Sequence, residues 1–104
     1  MRCKRCEPVP EEVRQAADLL ERRWTVSILY AASEGAMRFN EFRQALGSIP
    51  PRTLALRLVE LERAGVLDRV VIDARPPRVE YRLTGLGDRF APVIEAVVAF
   101  ASRR

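Results

Sequence analysis

The strongest constraint on the fold of this 104-residue chain is a pair of adjacent helical patterns joined by a short turn. The first pattern starts at Phe39 and stops at Gly47. The second starts at Pro51, a residue suited to the first turn of a helix, and stops at Gly65. One face of the second pattern carries apolar residues at helical spacing: Leu54, Leu58 and Leu61. Two helices joined by a turn of about three or four residues predict a helix-turn-helix.

The segments on either side complete a layout of four helices and a hairpin. Apolar spacing predicts one helix over residues 11–20 and a second from Trp24 to about Ser33. After the helix pair, residues 66–73 are rich in Val and Ile, and residues 79–83 alternate apolar with charged side chains. The two runs flank a basic loop, Arg75-Pro76-Pro77-Arg78. They predict a two-stranded hairpin.

A last helix is expected over residues 84–103, with Thr84 as its N-cap and a kink at Pro92. Its apolar face is longer than so small a domain can cover, so the helix needs a partner. Because most soluble oligomers have two-fold symmetry, the sequence predicts a homodimer. The first and last helices supply the expected interface residues: Val13, Ala17, Leu20, Val93, Ile94, Val97 and Phe100.

The expected fold is therefore mainly α with a small β-hairpin, a winged helix-turn-helix in the order α-α-α-α-β-β-α. A chain of this length holds one domain. We assign it to residues 11–104, preceded by a flexible basic arm over residues 1–10. Neither an export signal nor a run of 18 apolar residues is visible, so we expect a cytoplasmic protein without a membrane span.

The charge composition favours a polyanionic partner over an enzyme. The chain has 18 Lys and Arg against 14 Asp and Glu, and only Lys4 is a lysine. Guanidinium groups bind phosphates and guanine edges through paired hydrogen bonds that an ammonium does not match. Histidine is absent, which removes the commonest general base and metal ligand. We therefore expect no catalytic residue, metal or cofactor.

The candidate partner is double-stranded DNA. Helical spacing places Arg52, Thr53 and Leu56 opposite the buried leucines, with Arg57 at the border. Arg52 is placed to bind guanine, Thr53 a phosphate or thymine methyl, and Leu56 either a thymine methyl or a neighbouring side chain. The remaining candidate DNA contacts lie in the preceding helix and the hairpin loop: Arg38, Asn40, Arg43, Arg75 and Arg78.

Several motifs in one order carry a resemblance to a known family. They are WTVSIL from Trp24, RFNEFRQAL from Arg38, IPPRTL from Ile49 and PPRVEY from Pro76, with Leu83-Thr84 after them. Over about residues 11–101 the chain resembles the HxlR branch of MarR-like bacterial transcription regulators. The resemblance implies a dimeric winged-helix protein that binds DNA, and the two-fold symmetry of the expected dimer predicts a pseudo-palindromic operator. Some members sense electrophiles, quinones or oxidants through an N-terminal cysteine, and Glu11 occupies that position here.

Cys3 and Cys6 lie upstream of that position, among basic residues that would lower a thiol pKa. Without export features they are expected to be reduced. Three interpretations stay open: a thiol sensor, a zinc site of four thiolates shared across the dimer, or two inert cysteines. Two other functions also compete, namely a protein-interaction module that uses the Leu56 face and a thiol oxidoreductase. The second lacks a βαβ unit and any cofactor motif.

Overall fold

The computed structural model describes residues 6–102, and its first four helices lie where the apolar spacing predicts them. They are α1 (Glu11–Leu20), α2 (Thr25–Ser33), α3 (Phe39–Leu46) and α4 (Pro51–Arg63). Residues 6–10 precede α1 without helix or strand. The predicted helix-turn-helix is confirmed in α3 and α4.

The start of α3 is fixed by a carboxylate. Glu41 Oε1 accepts hydrogen bonds from the amides of Met37 and Arg38, both at 2.9 Å. These two bonds hold the pKa of Glu41 below its ordinary value, because they favour the ionised form. The turn to α4 passes through Gly47, whose φ of 68° lies in the left-handed region that glycine adopts most easily.

The predicted hairpin consists of β1 (Leu67–Ile72) and β2 (Arg78–Leu83), which pair antiparallel. Leu67 faces Leu83 and Ile72 faces Arg78. Arg78 is thus the first residue of a strand, whereas the sequence pattern placed it in the loop. The amide of Tyr81 donates a 2.7 Å hydrogen bond to the carbonyl of Met37, which fastens the hairpin beside the start of α3.

The expectation of one last helix kinked at Pro92 is wrong. The chain forms two helices, α5 (Gly85–Asp88) and α6 (Ala91–Ser102). Thr84 caps the first of them, since its hydroxyl accepts a 3.0 Å bond from the amide of Gly87. Pro92 lies in the first turn of α6, where a missing amide donor breaks no helical hydrogen bond. Within residues 6–102 no helix has the length and apolar character needed to span a membrane.

The hydrophobic core lies between α2, α3, α4 and the base of the hairpin. Its largest fully buried side chains are Phe42, Ile28, Leu29, Leu54, Leu58, Leu61, Leu67 and Val66. The predicted inward face of α4 is therefore confirmed. The three leucines of α4 hold this helix against α3 and β1.

Gly87 is where the base of the hairpin and α5 approach most closely. A Cβ at this position would lie 2.3 Å from the carbonyl oxygen of Val66, a backbone atom. We expect Gly87→Ala to destabilise the fold by about 3 kcal/mol, because relief requires the backbone to move. Urea unfolding measures the change. Gly85→Ala in the same helix meets no atom within 4 Å and is the matched control, with an expected change below about 1 kcal/mol. Equal losses in the two variants would contradict this account.

Candidate nucleic-acid interface

In the first half of α4, both polar and apolar side chains are exposed on one face of the helix, and the opposite face is buried. Arg52 is exposed and Thr53 is half-buried. Leu56 is 52% exposed, so a large part of its apolar side chain faces solvent. No side chain caps the start of α4, and because Pro51 has no N–H, the free amides of its first turn are those of Arg52 and Thr53.

A second group of candidates lies on α3 and the residue before it. Arg38, Asn40 and Arg43 are all exposed. Like Arg52, the two arginines form no salt bridge with an acid in the described part of the chain. The one acid between them, Glu41, is occupied by backbone amides at the helix start. The guanidinium groups of Arg38, Arg43 and Arg52 are therefore available to phosphates.

The hairpin contributes Arg75 in the loop and Arg78 at the start of β2, both exposed. Neither forms a salt bridge within residues 6–102. Arg82, further along β2, contrasts with them because it donates to Glu80 at 2.7 Å. Arg75 in the loop and Arg78 at the adjoining end of β2 therefore both present their guanidinium groups to solvent.

Among the candidate DNA contacts, Arg57 differs from the exposed arginines of α3, α4 and the hairpin because its guanidinium is bonded to other groups of the protein. Its Nε donates a 2.8 Å hydrogen bond to the carbonyl of Arg23, and its Nη1 contacts Glu60 at 3.1 Å. Glu60 also accepts from Arg22, which precedes α2. Sequence reasoning missed both Glu60 and Arg22. The spacing of Arg57 and Glu60, three residues apart on a helix, could have indicated the first pair.

The residues predicted for the dimer interface fall into two groups. Ile94 is buried in the chain's own core, and Ala17 and Leu20 are half-buried. The others are exposed large apolar side chains: Val13, Val93, Val97 and, at 72% exposure, Phe100. Beside them, α2 and α6 enclose a groove of about 710 Å³, lined by Trp24, Tyr30 and Val97 among others. The exposed face of α6 is more apolar than the solvent-facing side of an ordinary surface helix.

The cysteines differ from expectation at one position. Cys6 is disulfide-bonded, so the prediction of a reduced thiol is wrong for this residue. Cys3 lies outside the described residues. No group of side chains in residues 6–102 has the composition of a metal site.

Comparison with known proteins supports the fold and the family. Residues 19–104 match the model of the HxlR-like helix-turn-helix family. The chain is 39% identical to the HTH-type transcriptional regulator YvaP of Bacillus subtilis, over 85% of this chain and 82% of YvaP. The redox regulator HypR in its oxidised form is similar in structure, with a TM-score of 0.83 and 34% identity over 89% of this chain and 96% of HypR. Diamide-treated YodB from B. subtilis has a TM-score of 0.77 and 30% identity over 93% and 96%. The resemblance stated from the sequence is confirmed.

Proposed function

Because the chain belongs to the HxlR-like helix-turn-helix family and is a DNA-binding transcription regulator, we propose that it acts as a cytoplasmic homodimer on a pseudo-palindromic operator. One observation carries the mode of binding. α4 is anchored by fully buried leucines on one face and presents Arg52 on the other, without an acidic partner in the described chain. The first residues of such a helix contact base edges in the major groove.

The exposed candidates divide into base contacts and backbone contacts. Arg52 forms a paired hydrogen bond to guanine N7 and O6, and the Leu56 side chain contacts a thymine methyl. Thr53 lies near the start of α4, where it takes a phosphate or a second thymine methyl. The backbone is held by Arg38, Asn40 and Arg43 from α3 and by Arg75 and Arg78 from the hairpin. Backbone contacts position the protein, and the contacts of α4 specify the sequence.

The homodimer is supported by the exposed side of α6. In this twelve-residue helix only Ile94 is buried, while Val97 and Phe100 are open to solvent. A two-fold axis that pairs these residues, together with Val13 of α1, removes them from water in both copies. The same axis places the two copies of α4 about 34 Å apart, one turn of B-form DNA.

Binding to a duplex tests this proposal at its first step. The protein is expected to select one sequence from a random-sequence duplex pool, and footprinting should show two related half-sites. Its affinity for unrelated duplex is expected to fall steeply with added salt, because phosphate contacts release counterions. A protein that selects no sequence and protects no site contradicts the proposal.

The signal is proposed to be an oxidant or electrophile that reacts at the N-terminal cysteines. The similarity to HypR, described as a redox regulator, and the disulfide at Cys6 support this input. Oxidation of two thiols to a disulfide releases two protons and two electrons, which diamide takes up to become a hydrazine. We expect diamide to change the operator affinity of the reduced protein and to leave Cys6→Ser unaffected. Gel shifts with and without diamide measure this, and an equal response in Cys6→Ser would contradict a role for Cys6.

One observation favours a second function. Leu56 is a large apolar side chain exposed in the middle of α4, as a protein-docking surface would require. A protein-interaction module would bind duplex DNA weakly and without sequence preference. Leu56→Ser separates the two functions. The docking function predicts that the weak binding to duplex DNA is unchanged, and the regulator function predicts that affinity for the selected operator falls through one base-pair position in each half-site.

A further inference from the structure

Glu60 joins two parts of the chain that are distant in sequence. One of its carboxylate oxygens contacts Arg57 Nη1 at 3.1 Å, and the other accepts from Arg22 Nη1. Arg22 Nε also reaches the carbonyl of Asp18 in α1 at 3.4 Å. Arg57 Nε completes the set with its 2.8 Å bond to the carbonyl of Arg23. We call this group, formed by Arg22, Arg57, Glu60 and the Arg23 carbonyl, the Glu60 clamp.

The Glu60 clamp differs from an ordinary surface ion pair. The side chains of Arg57 and Glu60 are each only 17% exposed, so solvent screens their attraction less than it screens an exposed pair. The planar guanidinium of Arg57 donates in two directions at once, which an ammonium group on the same stem does not reproduce. Loss of Glu60 would leave Arg57 a half-buried cation without its carboxylate partner.

The clamp also holds an unusual piece of backbone. Arg23 immediately precedes Trp24, whose φ of 80° lies in the left-handed region that bulky residues rarely adopt. Such a conformation persists only where surrounding contacts over-determine it. The hydrogen bond from Arg57 fixes the peptide group on one side of Trp24, and the Arg23 guanidinium lies 5.1 Å from the centre of the Trp24 ring. The turn between α1 and α2 is therefore held from α4.

The position of α4 within its own domain does not depend on the clamp. Its three buried leucines fasten it to α3 and β1, so α4 moves only together with the rest of the helix-turn-helix and the hairpin. In contrast, α1 packs mainly against α2 and has no buried residue of its own. The helix-turn-helix and the hairpin together form what we call the DNA-binding unit. The clamp adds a constraint at the junction between this unit and α1.

We propose that the Glu60 clamp is a positioning device that fixes the DNA-binding unit relative to α1, and so sets the separation of the two recognition helices in the dimer. This rests on the proposed homodimer, in which α1 lies at the two-fold interface. Arg57 and Glu60 are then positioning residues and not DNA contacts. A loosened clamp leaves each half of the dimer able to bind its half-site but reduces simultaneous binding of both.

The test compares a full operator, selected by the wild-type protein from a random duplex pool, with a half-site duplex in which one arm is scrambled. For Glu60→Gln, we expect the ratio of full-site to half-site affinity to fall about tenfold, within the range for coupling through side-chain networks. The matched control is Glu62→Gln on the same helix, where an exposed acid forms no salt bridge in the described chain. Both changes remove one negative charge, and only Glu60→Gln is expected to lower the ratio of full-site to half-site affinity.

Two further measurements separate positioning from stability and from direct contact. Insertion of one base pair between the half-sites should penalise the wild-type protein more than Glu60→Gln, because a looser dimer adapts to the new spacing. Arg57→Lys keeps the charge but loses the two-directional fork, and it should lower the ratio as Glu60→Gln does, with an unchanged salt dependence. If Arg57 bound a phosphate instead, lysine would preserve the full-site affinity.

The outcomes distinguish this proposal from the proposed function. A wild-type protein that prefers the full site, with an unchanged ratio in Glu60→Gln, overturns the clamp and leaves the regulator standing. A wild-type protein without preference for the full site overturns the dimer and the clamp together. Should Glu60→Gln fail to fold by circular dichroism, Arg22→Gln replaces it, since it removes only the exposed arm of the clamp. The same fall in the ratio is then expected, and its absence overturns the proposal.

Discussion

Replacement of Arg52 with alanine is expected to weaken operator binding about a hundredfold and to leave binding to unrelated duplex nearly unchanged. The exposed guanidinium in the first turn of α4 can form a paired hydrogen bond to guanine, which contributes about 1–3 kcal/mol of discrimination. The proposed dimer carries two copies of Arg52, and each tenfold in affinity corresponds to about 1.4 kcal/mol, so the two losses combine to about the stated factor. Titration of labelled operator and of a scrambled duplex at one salt concentration measures both affinities.

Arg75→Ala is the matched control, because it also removes one exposed arginine without a salt-bridge partner in residues 6–102. As a backbone contact, Arg75 should affect operator and unrelated duplex alike, and its loss should reduce the slope of log affinity against log salt by about one unit for each copy that binds. An Arg52→Ala protein with an unaltered operator footprint would show that α4 does not read the sequence through this residue.

Val97→Glu is expected to convert the proposed dimer to a monomer and to reduce operator binding to that of a half-site. Val97 is 44% exposed in the single chain, so the monomer tolerates a charged side chain there. In the proposed two-fold interface, two carboxylates would be desolvated without partners, at a cost of about 2–5 kcal/mol or more. Sedimentation measures the mass, and titration of full-site and half-site duplexes measures the consequence.

The matched control for this change is Leu86→Glu. Leu86 has the same 44% exposure but lies in α5, outside the proposed interface. It should remain dimeric and keep its preference for the full site. A Val97→Glu protein that sediments as a dimer would show that another surface forms the interface, and the exposed valines of α6 would then need a different partner.

The face of α4 that carries Arg52 and Leu56, which we call the proposed reading face, was predictable because it depends on local geometry. Leucines at positions 54, 58 and 61 recur at the helical period, and the same period places Arg52 and Leu56 away from them. The turn was equally local, since Gly47 and Pro51 have the backbone preferences that end one helix and start the next. The prediction from the sequence was wrong at Pro92, because a proline is compatible both with a kink inside one helix and with the first turn of a new helix.

The remaining assignments depended on contacts between distant parts of the chain. Periodicity placed Arg57 on the border of the proposed reading face, but its partners lie 34 residues away at Arg23 and within its own helix at Glu60. Likewise, the spacing in α6 did not distinguish Ile94, which faces the core, from Val97, which stays exposed.

The order of the first four helices and the two strands, the two faces of α4 and the excess of arginine follow from the sequence alone, because backbone preference and helical period act between near neighbours. Only the tertiary structure decided which apolar side chains of α6 remain exposed to solvent. It also decided which arginine forms a hydrogen bond to the turn between α1 and α2. Burial and ion pairing depend on what the fold brings close, and no local pattern records residues that meet across more than thirty positions of the chain.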